Sequence, residues 1–295
     1  MRHAYLIIAH NNEPLLQMLI SILDDNRNDI YVHIDRKADF DGSTLRTSNS
    51  LLTILHERYD ARWGDFSLVE AELELLKVAY ASGEYSYYHF ISGVDLPIKS
   101  QDYIHSVCEK NDKLEYIGIA EVSKDELRWR SGHYFLFSRE FKSKNLAIRM
   151  IRQMYLRLQD LIGYERNDDI ELKKGSQWCS ITSDFVGHIL GKENEIRKRF
   201  HNTYCPDEVF IQTLCWNSPF RDRICNPKDE FDSCRRFIKW NDGSLEPIQV
   251  SDVRAMYESN RWFARKITRL HDAEEIRRKL FDNEKSISHN TNIQS

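Results

Sequence analysis

The stretch Ile30-Tyr-Val-His-Ile-Asp35 decides the fold of this 295-residue chain. It is a short apolar run rich in strand-forming residues, and it stops at Asp35, before two basic residues. A similar run lies at residues 4–9, and apolar residues at helical spacing over 15–23 separate the two runs. This order of strand, helix and strand predicts a parallel sheet whose ligand crevice lies at the carboxyl ends of the strands.

Further apolar runs predict more strands, at residues 51–55, 85–91 and 114–119. A helix is expected at about residues 68–78, where apolar side chains recur at helical spacing. Residues 175–183 predict a turn, a short strand and a helix N-cap. The length allows one large domain, so the predicted class is α/β with a mostly parallel central sheet flanked by helices.

Three polar residues follow predicted strands. His10 and Asp35 fall at the crevice edge, where His10 is either a ligand contact or a turn residue packed on the next helix, and Asp35 either a ligand contact or a strand-end cap. Asp95 lies in a loop bracketed by a glycine and a proline. A carboxylate at the end of a buried strand must be paired or contact a ligand; alternatively, Asp95 caps the helix expected at Ser100.

Two adjacent carboxylates, Asp207 and Glu208, follow Pro206 at the expected start of a helix. Proline suits the first helical position, and acidic side chains in the first turn are favoured by the exposed amides and the helix dipole. The pair is therefore either a structural helix start or a catalytic site.

Two further segments have two interpretations each. Asp125-Glu-Leu-Arg-Trp-Arg130 combines acids, bases and an aromatic ring, which is typical of sugar sites and also common on ordinary surfaces. Residues 137–161 form a long basic amphipathic stretch. That pattern is typical of a helix packed on a core, and its excess of arginine and lysine also suits a membrane surface.

Composition argues against several classes of function. A net charge of −4 and a pI near 6.3 argue against a nucleic-acid binder. The six cysteines form no C-x-x-C pair, so we expect reduced, mostly buried thiols and no metal site. Asp39-Phe-Asp41 matches an acidic metal motif by spacing, but it lies in a polar loop and such spacings arise by chance, so we do not assign it to a metal.

The apolar part of the N-terminus is too short for a signal peptide, and no apolar run is long enough to span a bilayer. We therefore expect a cytoplasmic protein, with peripheral contact at the inner face of the membrane through basic stretches such as 149–157 or 261–269. The polar residues from 284 onward predict a disordered tail.

Seven separated motifs, in order between about residues 4 and 267, make the sequence resemble the core-2/I-branching enzyme family. Its members are inverting β-1,6-N-acetylglucosaminyltransferases and their peptide O-xylosyltransferase relatives. The motifs are Tyr31-Val-His-Ile-Asp-Arg-Lys37, Trp63-Gly-Asp-Phe-Ser67, Ile91-Ser-Gly-Val-Asp-Leu-Pro-Ile-Lys99, Gly175-Ser-Gln-Trp178, Cys205-Pro-Asp-Glu208, Arg236-Phe-Ile-Lys-Trp240 and Phe263-Ala-Arg-Lys266.

The resemblance implies a GT-A-like glycosyltransferase fold that works on a UDP-sugar without a metal ion or other cofactor. It implies that Glu208 is the catalytic base, with Asp207 as its support, a helix cap or the first alternative base. For the donor it assigns Asp35, Lys266 and the neighbouring Arg265, and His10 and Lys37, at the crevice edge, complete the predicted donor site. The residues it assigns to the acceptor are Asp95, Glu126, Arg128, Trp129, Trp178 and Trp240.

One departure from the family concerns its second diphosphate-binding arginine, since Ile248 lies near that point. Arg254, Arg261 or Arg265 is expected to substitute. We expect a single glycosyltransferase domain over residues 1–283, with a nucleotide-binding half at about 1–120 and an acceptor and catalytic part at about 121–283.

The expected function is inverting, metal-independent transfer of a sugar to a hydroxyl of an oligosaccharide, polysaccharide or lipid-linked glycan. The family's commonest donor is UDP-GlcNAc, and UDP-xylose or another donor is the alternative. The rival class is a non-catalytic glycan- or nucleotide-binding protein on the same fold. A glycoside hydrolase with paired carboxylates leaves the His-Ile-Asp strand end and the Phe-Ala-Arg-Lys motif unexplained, and is disfavoured.

Overall fold

The structure, a computed structural model, describes the backbone of residues 1–291 and the side chains of residues 1–281. Its strands are β1 (His3–Ala9), β2 (Asn28–Ile34), β3 (Leu51–Ile54), β4 (Tyr87–Ser92), β5 (Leu96–Pro97), β6 (Ser180–Thr182), β7 (Arg236–Asn241), β8 (Ser244–Glu246) and β9 (Phe263–Arg265). Its α-helices are α1 (Glu13–Leu23), α2 (Ser67–Ser82), α3 (Gln101–Lys110), α4 (Lys124–Leu127), α5 (Leu146–Leu161), α6 (Ser183–Gly191), α7 (Glu193–Phe200), α8 (Phe210–Trp216), α9 (Glu230–Cys234), α10 (Val253–Glu258) and α11 (Leu270–Thr291).

The central sheet has the strand order β3-β2-β1-β4-β6. Its first four strands are parallel, and β6 runs antiparallel to β4. Successive side chains of each strand point to opposite faces of the sheet, so two hydrophobic cores form. Helices α2, α6 and α8 cover one face, and α1 and α3 cover the other. The predicted α/β class, with a mostly parallel central sheet flanked by helices, is confirmed.

A second sheet, with the order β5-β9-β7-β8, joins the chain just after β4 to its C-terminal part. Leu96 of β5 pairs with Ala264 of β9, and Arg265 of β9 lies beside Ile238 of the parallel strand β7. This pairing brings the Phe-Ala-Arg-Lys motif to the loop that carries Asp95.

The strand predicted at residues 114–119 is wrong. Only two isolated bridges form there, from Glu115 to Ile224 and from Tyr116 to Ser180. Beyond these bridges, the backbone at Gly118 packs directly on the backbone at Gly175, too closely for a sheet. A Cβ atom built on Gly175 would lie 1.9 Å from the carbonyl oxygen of Gly118.

The Pro-Asp-Glu segment is not the start of the helix that follows it. Pro206–Glu208 forms a separate 3₁₀ turn, and α8 begins only at Phe210. Pro206 does occupy the first position of the turn, as its missing N–H favours. The two carboxylates therefore precede α8 instead of lying in its first turn.

Within the basic stretch 137–161, the α-helix α5 covers only Leu146–Leu161, and most of its apolar side chains are exposed instead of packed on a core. A long last helix, α11, follows near the C-terminus. The disordered tail predicted from residue 284 overlaps the range of α11 and ends in residues 292–295, which lie outside the described residues. Over the described part of the chain, every helix is too short or too polar to cross a membrane.

Candidate active site

Glu208 lies in a cationic environment and is held by one of its two carboxylate oxygens. Arg130 Nη1 donates to Glu208 Oε2 at 3.2 Å, and Lys174 Nζ lies 3.7 Å from the same oxygen. The Glu208 side chain is 35% exposed, and its Oε1 accepts no hydrogen bond from the residues that the structure describes. One oxygen is thus anchored by cations while the other is available to a ligand.

The backbone around Glu208 is fixed by contacts from three distant loops. Cys205, which adopts a left-handed conformation before the turn, donates its N–H to the carbonyl of Gly64. Tyr204 donates to the carbonyl of Arg130, and Gly175 donates to the carbonyl of Glu208 itself. These bonds satisfy the polar groups of an irregular segment and fix the direction of the carboxylate.

Asp207 and Glu72 form a buried acidic pair beside Glu208. Glu72, on α2, is fully buried, and Asp207 is 7% exposed. Glu72 Oε2 and Asp207 Oδ1 each find no hydrogen-bond partner within the described chain. Burial, reinforced by the Glu208 charge, raises the pKa of Asp207 to about 7, and burial with the Asp207 charge raises the pKa of Glu72 well above its usual value.

We predict that Glu72→Gln stabilises the protein more at pH 7.5 than at pH 5. A carboxyl whose pKa is raised by folding stabilises the native state less as pH rises above the unfolded pKa, because only the unfolded chain then releases its proton readily. Glutamine keeps the shape of the side chain but carries no titrating proton, so the variant does not lose this stability as pH rises. The melting temperature of Glu72→Gln minus that of the native protein should grow by at least about 2 °C between the two pH values.

The matched control for this measurement is Glu74→Gln on the same helix. Glu74 is partly exposed and pairs with Lys77, so its replacement should show little pH dependence. An equal shift at both pH values for Glu72→Gln contradicts the buried-acid interpretation.

Arg265 and Asp95 form a second charged centre. Arg265 Nη1 donates to Asp95 Oδ1 at 2.7 Å, and Asp95 is fully buried, its Oδ2 accepting from the backbone N–H of Ser92 at 2.9 Å. The Arg265 guanidinium also stacks over the Trp178 ring at 4.3 Å. The expectation that buried Asp95 must be paired is confirmed. The alternative that it caps α3 is wrong, because Ser100 Oγ provides that cap.

Residues 174–178 connect the two centres. At one end Lys174 lies beside Glu208, and at the other Trp178 lies under Arg265. Between them, Gln177 Nε2 donates to Glu72 Oε1 at 2.9 Å. A five-residue segment thus brings the predicted base and the predicted donor cation together.

The edge of the central sheet carries the other predicted donor residues. Asp35 is buried, and its Oδ1 accepts a hydrogen bond from the backbone N–H of Lys37 at 2.8 Å. Asp35 therefore caps the turn at the end of β2, which is one of its two predicted interpretations. Lys37 Nζ bonds Asp60 at 2.6 Å and lies 3.5 Å from Asp35. Although His10 is exposed overall, partial desolvation lowers the pKa of its ring; the Asp35 charge opposes this shift and the Arg265 charge adds to it. His10 therefore lies within electrostatic reach of both Asp35 and Arg265.

A sequence profile described as Core-2/I-Branching enzyme matches residues 3–267. The chain belongs to the Core-2/I-Branching enzyme family. This confirms the resemblance seen in the motifs.

Individual relatives are distant. The chain is 24% identical over 233 residues to "Xylosyltransferase sqv-6" of Caenorhabditis briggsae and 20% identical over 227 residues to that of Caenorhabditis elegans. These alignments cover 73% and 74% of this chain, which spans about a quarter of each relative's length (26%).

Among solved structures, S. aureus TarS shares 11% identity, with a TM-score of 0.27, over 48% of this chain and 26% of that chain. Mouse xyloside xylosyltransferase 1 shares 9% identity, with a TM-score of 0.31, over 73% and 82%.

In this Core-2/I-Branching family member, Ile248, which lies near the position expected for the second diphosphate-binding arginine, contacts Lys266. The buried Ile248 donates its N–H to the carbonyl of Lys266 at 2.9 Å. The Lys266 ammonium forms no ion pair with any described side chain. Of the three candidate substitutes, Arg254 pairs with Glu258 and is 89% exposed, and Arg261 lies 3.8 Å from Asp229. Arg265 is the candidate next to this lysine in the sequence.

The segment predicted at the sugar site contributes Trp129 to an aromatic wall. Trp129 is 44% exposed and its ring packs on Tyr204 at 4.9 Å, while the Arg130 guanidinium lies 5.2 Å from the Tyr204 ring. Arg130 Nε donates a hydrogen bond to Glu126 Oε1 at 2.9 Å. Arg128 instead pairs with Glu165 at 3.1 Å, so the structure does not bring it into contact with Glu208.

Trp240 is brought to the same side of the second sheet as Arg265. It lies two residues beyond Ile238, the register partner of Arg265, so side-chain alternation places both on one face. The ring is 55% exposed and therefore available to a ligand.

Sequence reasoning did not select Arg130, Lys174, Glu72 or Gln177 as site residues. A weak signal existed for Arg130, which lies four residues after Glu126 and so within helical pairing distance. Nothing local in the sequence points to Glu72, because its contacts with the site arise only when α2 packs against the 206–208 turn.

The described side chains include no cluster of three or more His, Cys, Asp or Glu residues arranged to hold a metal ion. Asp39 and Asp41 line an open cleft of about 470 Å³ together with Glu13, Thr44 and Arg58. All six cysteines are free thiols, and five of them are buried.

Proposed function

We propose that this protein is an inverting glycosyltransferase that moves a sugar from a UDP-sugar to a hydroxyl of a glycan acceptor, with Glu208 as general base. The observation that carries the proposal is the Glu208 carboxylate, anchored through Oε2 by Arg130 and Lys174 with Oε1 open, in a member of the Core-2/I-Branching family. Arg130 and Lys174 place positive charge beside one oxygen of this carboxylate, and the other oxygen is left to accept the proton of a hydroxyl.

In the proposed reaction, Glu208 Oε1 accepts the proton of the acceptor hydroxyl while that oxygen attacks the anomeric carbon of the donor. The bond between the anomeric carbon and the diphosphate oxygen breaks on the opposite face, and the sugar inverts. UDP leaves with the electron pair of that bond. Arg265 and Lys266 stabilise the negative charge that develops on the diphosphate, because fixed cations in a partly desolvated site act without reorganisation.

The donor nucleotide is proposed to lie along the carboxyl ends of β1 and β2, beside His10 and Asp35, with Lys37 at the outer end. GlcNAc is the proposed sugar because of the family, and xylose is the second candidate because the curated relatives are named xylosyltransferases. Trp129 and Trp240 are proposed to cover the apolar faces of the acceptor sugars of an oligosaccharide, polysaccharide or lipid-linked glycan.

We predict that nucleotide-sugar binding and transfer survive in excess EDTA, because Arg265 and Lys266 take the role of a metal. In a thermal-shift assay, UDP-GlcNAc or UDP-xylose at about 100 times its Kd should stabilise the protein by about 2.7 kcal/mol, with or without EDTA. Lys266→Met should lose most of this shift, while Lys110→Met, at the exposed end of α3, should keep it. Loss of transfer in EDTA, restored by manganese, contradicts metal independence.

The rival proposal, a non-catalytic glycan- or nucleotide-binding protein, predicts the same thermal shift without turnover. Release of UDP in the presence of a donor and a panel of glycan acceptors separates the two. A shift with each donor and no UDP release above the Glu208→Gln background favours the binding protein.

A further inference from the structure

Helix α5 has its more apolar side facing solvent. Exposed large apolar side chains recur along it, and the helix buries only Leu156 and Gln159 fully. The exposed fractions are 69% for Leu146, 65% for Met150, 46% for Ile151, 69% for Met154, 50% for Leu158 and 83% for Leu161. An amphipathic helix that packs on a core shows the opposite arrangement, so this face is built for a contact outside the chain.

The exposed side chains form one continuous face. Leu146, Met150, Met154, Leu158 and Leu161 follow each other at spacings of three or four residues, which places them along one side of the helix. Leu156 and Gln159 point to the opposite side, against the protein. Ile162, which is 65% exposed, and Tyr164, which is 41% exposed, extend the apolar surface beyond the helix.

The same segment is strongly basic. Residues 141–161, which run to the end of α5, contain five arginines and lysines and one acidic residue, Asp160, although the whole chain has a net charge of −4. Arg149 and Arg157 are exposed, whereas Arg152 packs over the Phe141 ring at 5.0 Å. Apolar side chains flanked by exposed cations match a bilayer surface of anionic lipids, where the acyl region accepts the former and the headgroups attract the latter.

We propose that this α5 face docks the protein on a membrane surface that contains anionic lipids. A second copy of the chain is a poorer occupant, because pairing two such faces brings five positive charges of each copy together with only one acid on each helix, Asp160, which already contacts His133.

The docking face is connected to the candidate active site. Phe141, just before α5, packs edge-on against Tyr204 at 4.9 Å, and Lys142 lies 4.8 Å from the ring of Trp63, which also contacts Tyr204. Tyr204 in turn lies against Arg130, the partner of Glu208. If the proposed function holds, docking brings the Glu208 site close to the membrane surface, which suits a lipid-linked glycan; the docking itself does not depend on that function.

Vesicle sedimentation tests the proposal with the full chain at low ionic strength. The native protein should sediment with vesicles of equimolar phosphatidylglycerol and phosphatidylcholine, and much less with phosphatidylcholine alone. Met150→Gln/Met154→Gln should lower the partition coefficient on anionic vesicles by about tenfold or more, because two apolar side chains no longer insert. Arg149→Gln/Arg157→Gln should lower it by a similar factor and remove the preference for phosphatidylglycerol.

Leu51→Gln, which replaces an exposed apolar residue on the edge strand β3, is the matched control and should sediment like the native protein. Equal thermal shifts with UDP across all variants establish that the fold and the nucleotide site are intact. If UDP gives no shift with the native protein, the proposed function fails, and equal melting temperatures then establish that the variants are folded. The docking proposal is overturned if the native protein does not bind anionic vesicles, or if both α5 variants bind them as the native protein does. It is also overturned if the native protein is a dimer that Met150→Gln/Met154→Gln converts to a monomer, since a second copy then covers the face.

Discussion

Glu208→Gln should lower kcat by about 10²–10⁴-fold while leaving the Kd for the nucleotide sugar nearly unchanged, since this is the range that a positioned general base contributes. Glutamine keeps the hydrogen bond from Arg130 through its carbonyl oxygen, so the turn at 206–208 and the positions of Arg130 and Lys174 are retained. It cannot accept the proton of the attacking hydroxyl. Steady-state UDP release gives kcat, and calorimetric titration with the donor gives Kd.

Glu193→Gln is the matched control for this measurement. Glu193 also bridges an arginine and a lysine, with Arg197 at 2.9 Å and Lys77 at 3.2 Å, and its side chain is 25% exposed. Because it lies on α7, outside the candidate site, kcat should change by less than about twofold, as expected for a partly exposed ion pair. Near-native turnover of Glu208→Gln combined with a large loss in Asp207→Asn would identify Asp207 as the base.

The burial of Asp207 argues for Glu208 as the base. Asp207 is almost inaccessible, and burial raises its pKa to about 7, so a large fraction of it is protonated near neutral pH. Glu208 is the accessible carboxylate of the two and the one with cationic partners. We therefore propose that Asp207, whose side chain is almost fully buried, supports Glu208 and does not itself act as the base.

The sequence predicted the parts of the fold that depend on local patterns. The apolar runs at residues 4–9 and 30–35 became neighbouring parallel strands, because a buried strand needs only a continuous apolar segment. The run at 114–119 looked equally strand-like but formed only two isolated bridges, to Ile224 and to Ser180 of β6, and beyond them Gly118 packs closely against the irregular segment at Gly175. Pattern alone does not reveal what will lie beside a strand.

The site residues divide in the same way. Asp95 could be recognised because a carboxylate beside a buried strand requires a partner, yet the identity of the partner depends on a contact across 170 residues. The contact of Arg130 with Glu208 spans 78 residues and that of Glu72 with Gln177 spans 105. Such contacts are set by how loops close over the sheet, and a single sequence carries little information about them.

Arg265→Met should destabilise the protein by about 3–5 kcal/mol and also weaken donor binding, because it leaves Asp95 as a fully buried charge without its cation. Asp95→Asn/Arg265→Met should recover much of the stability, since neither buried charge then remains uncompensated. Urea unfolding of the two single variants and the double variant gives the coupling energy of the pair. Additive losses in this cycle would contradict a direct Arg265–Asp95 interaction.

The same cycle separates structural from donor-binding roles of Arg265. Stability restored in the double variant without restored donor binding assigns the guanidinium to the diphosphate as well as to Asp95. Restored binding along with restored stability limits Arg265 to holding the loop. The first outcome is expected, because Arg265 is stacked on Trp178 at 4.3 Å and adjoins Lys266, whose ammonium has no ion-pair partner among the described residues. An arginine has five donors, and Asp95 and the ring leave several of them free to bind phosphate oxygens.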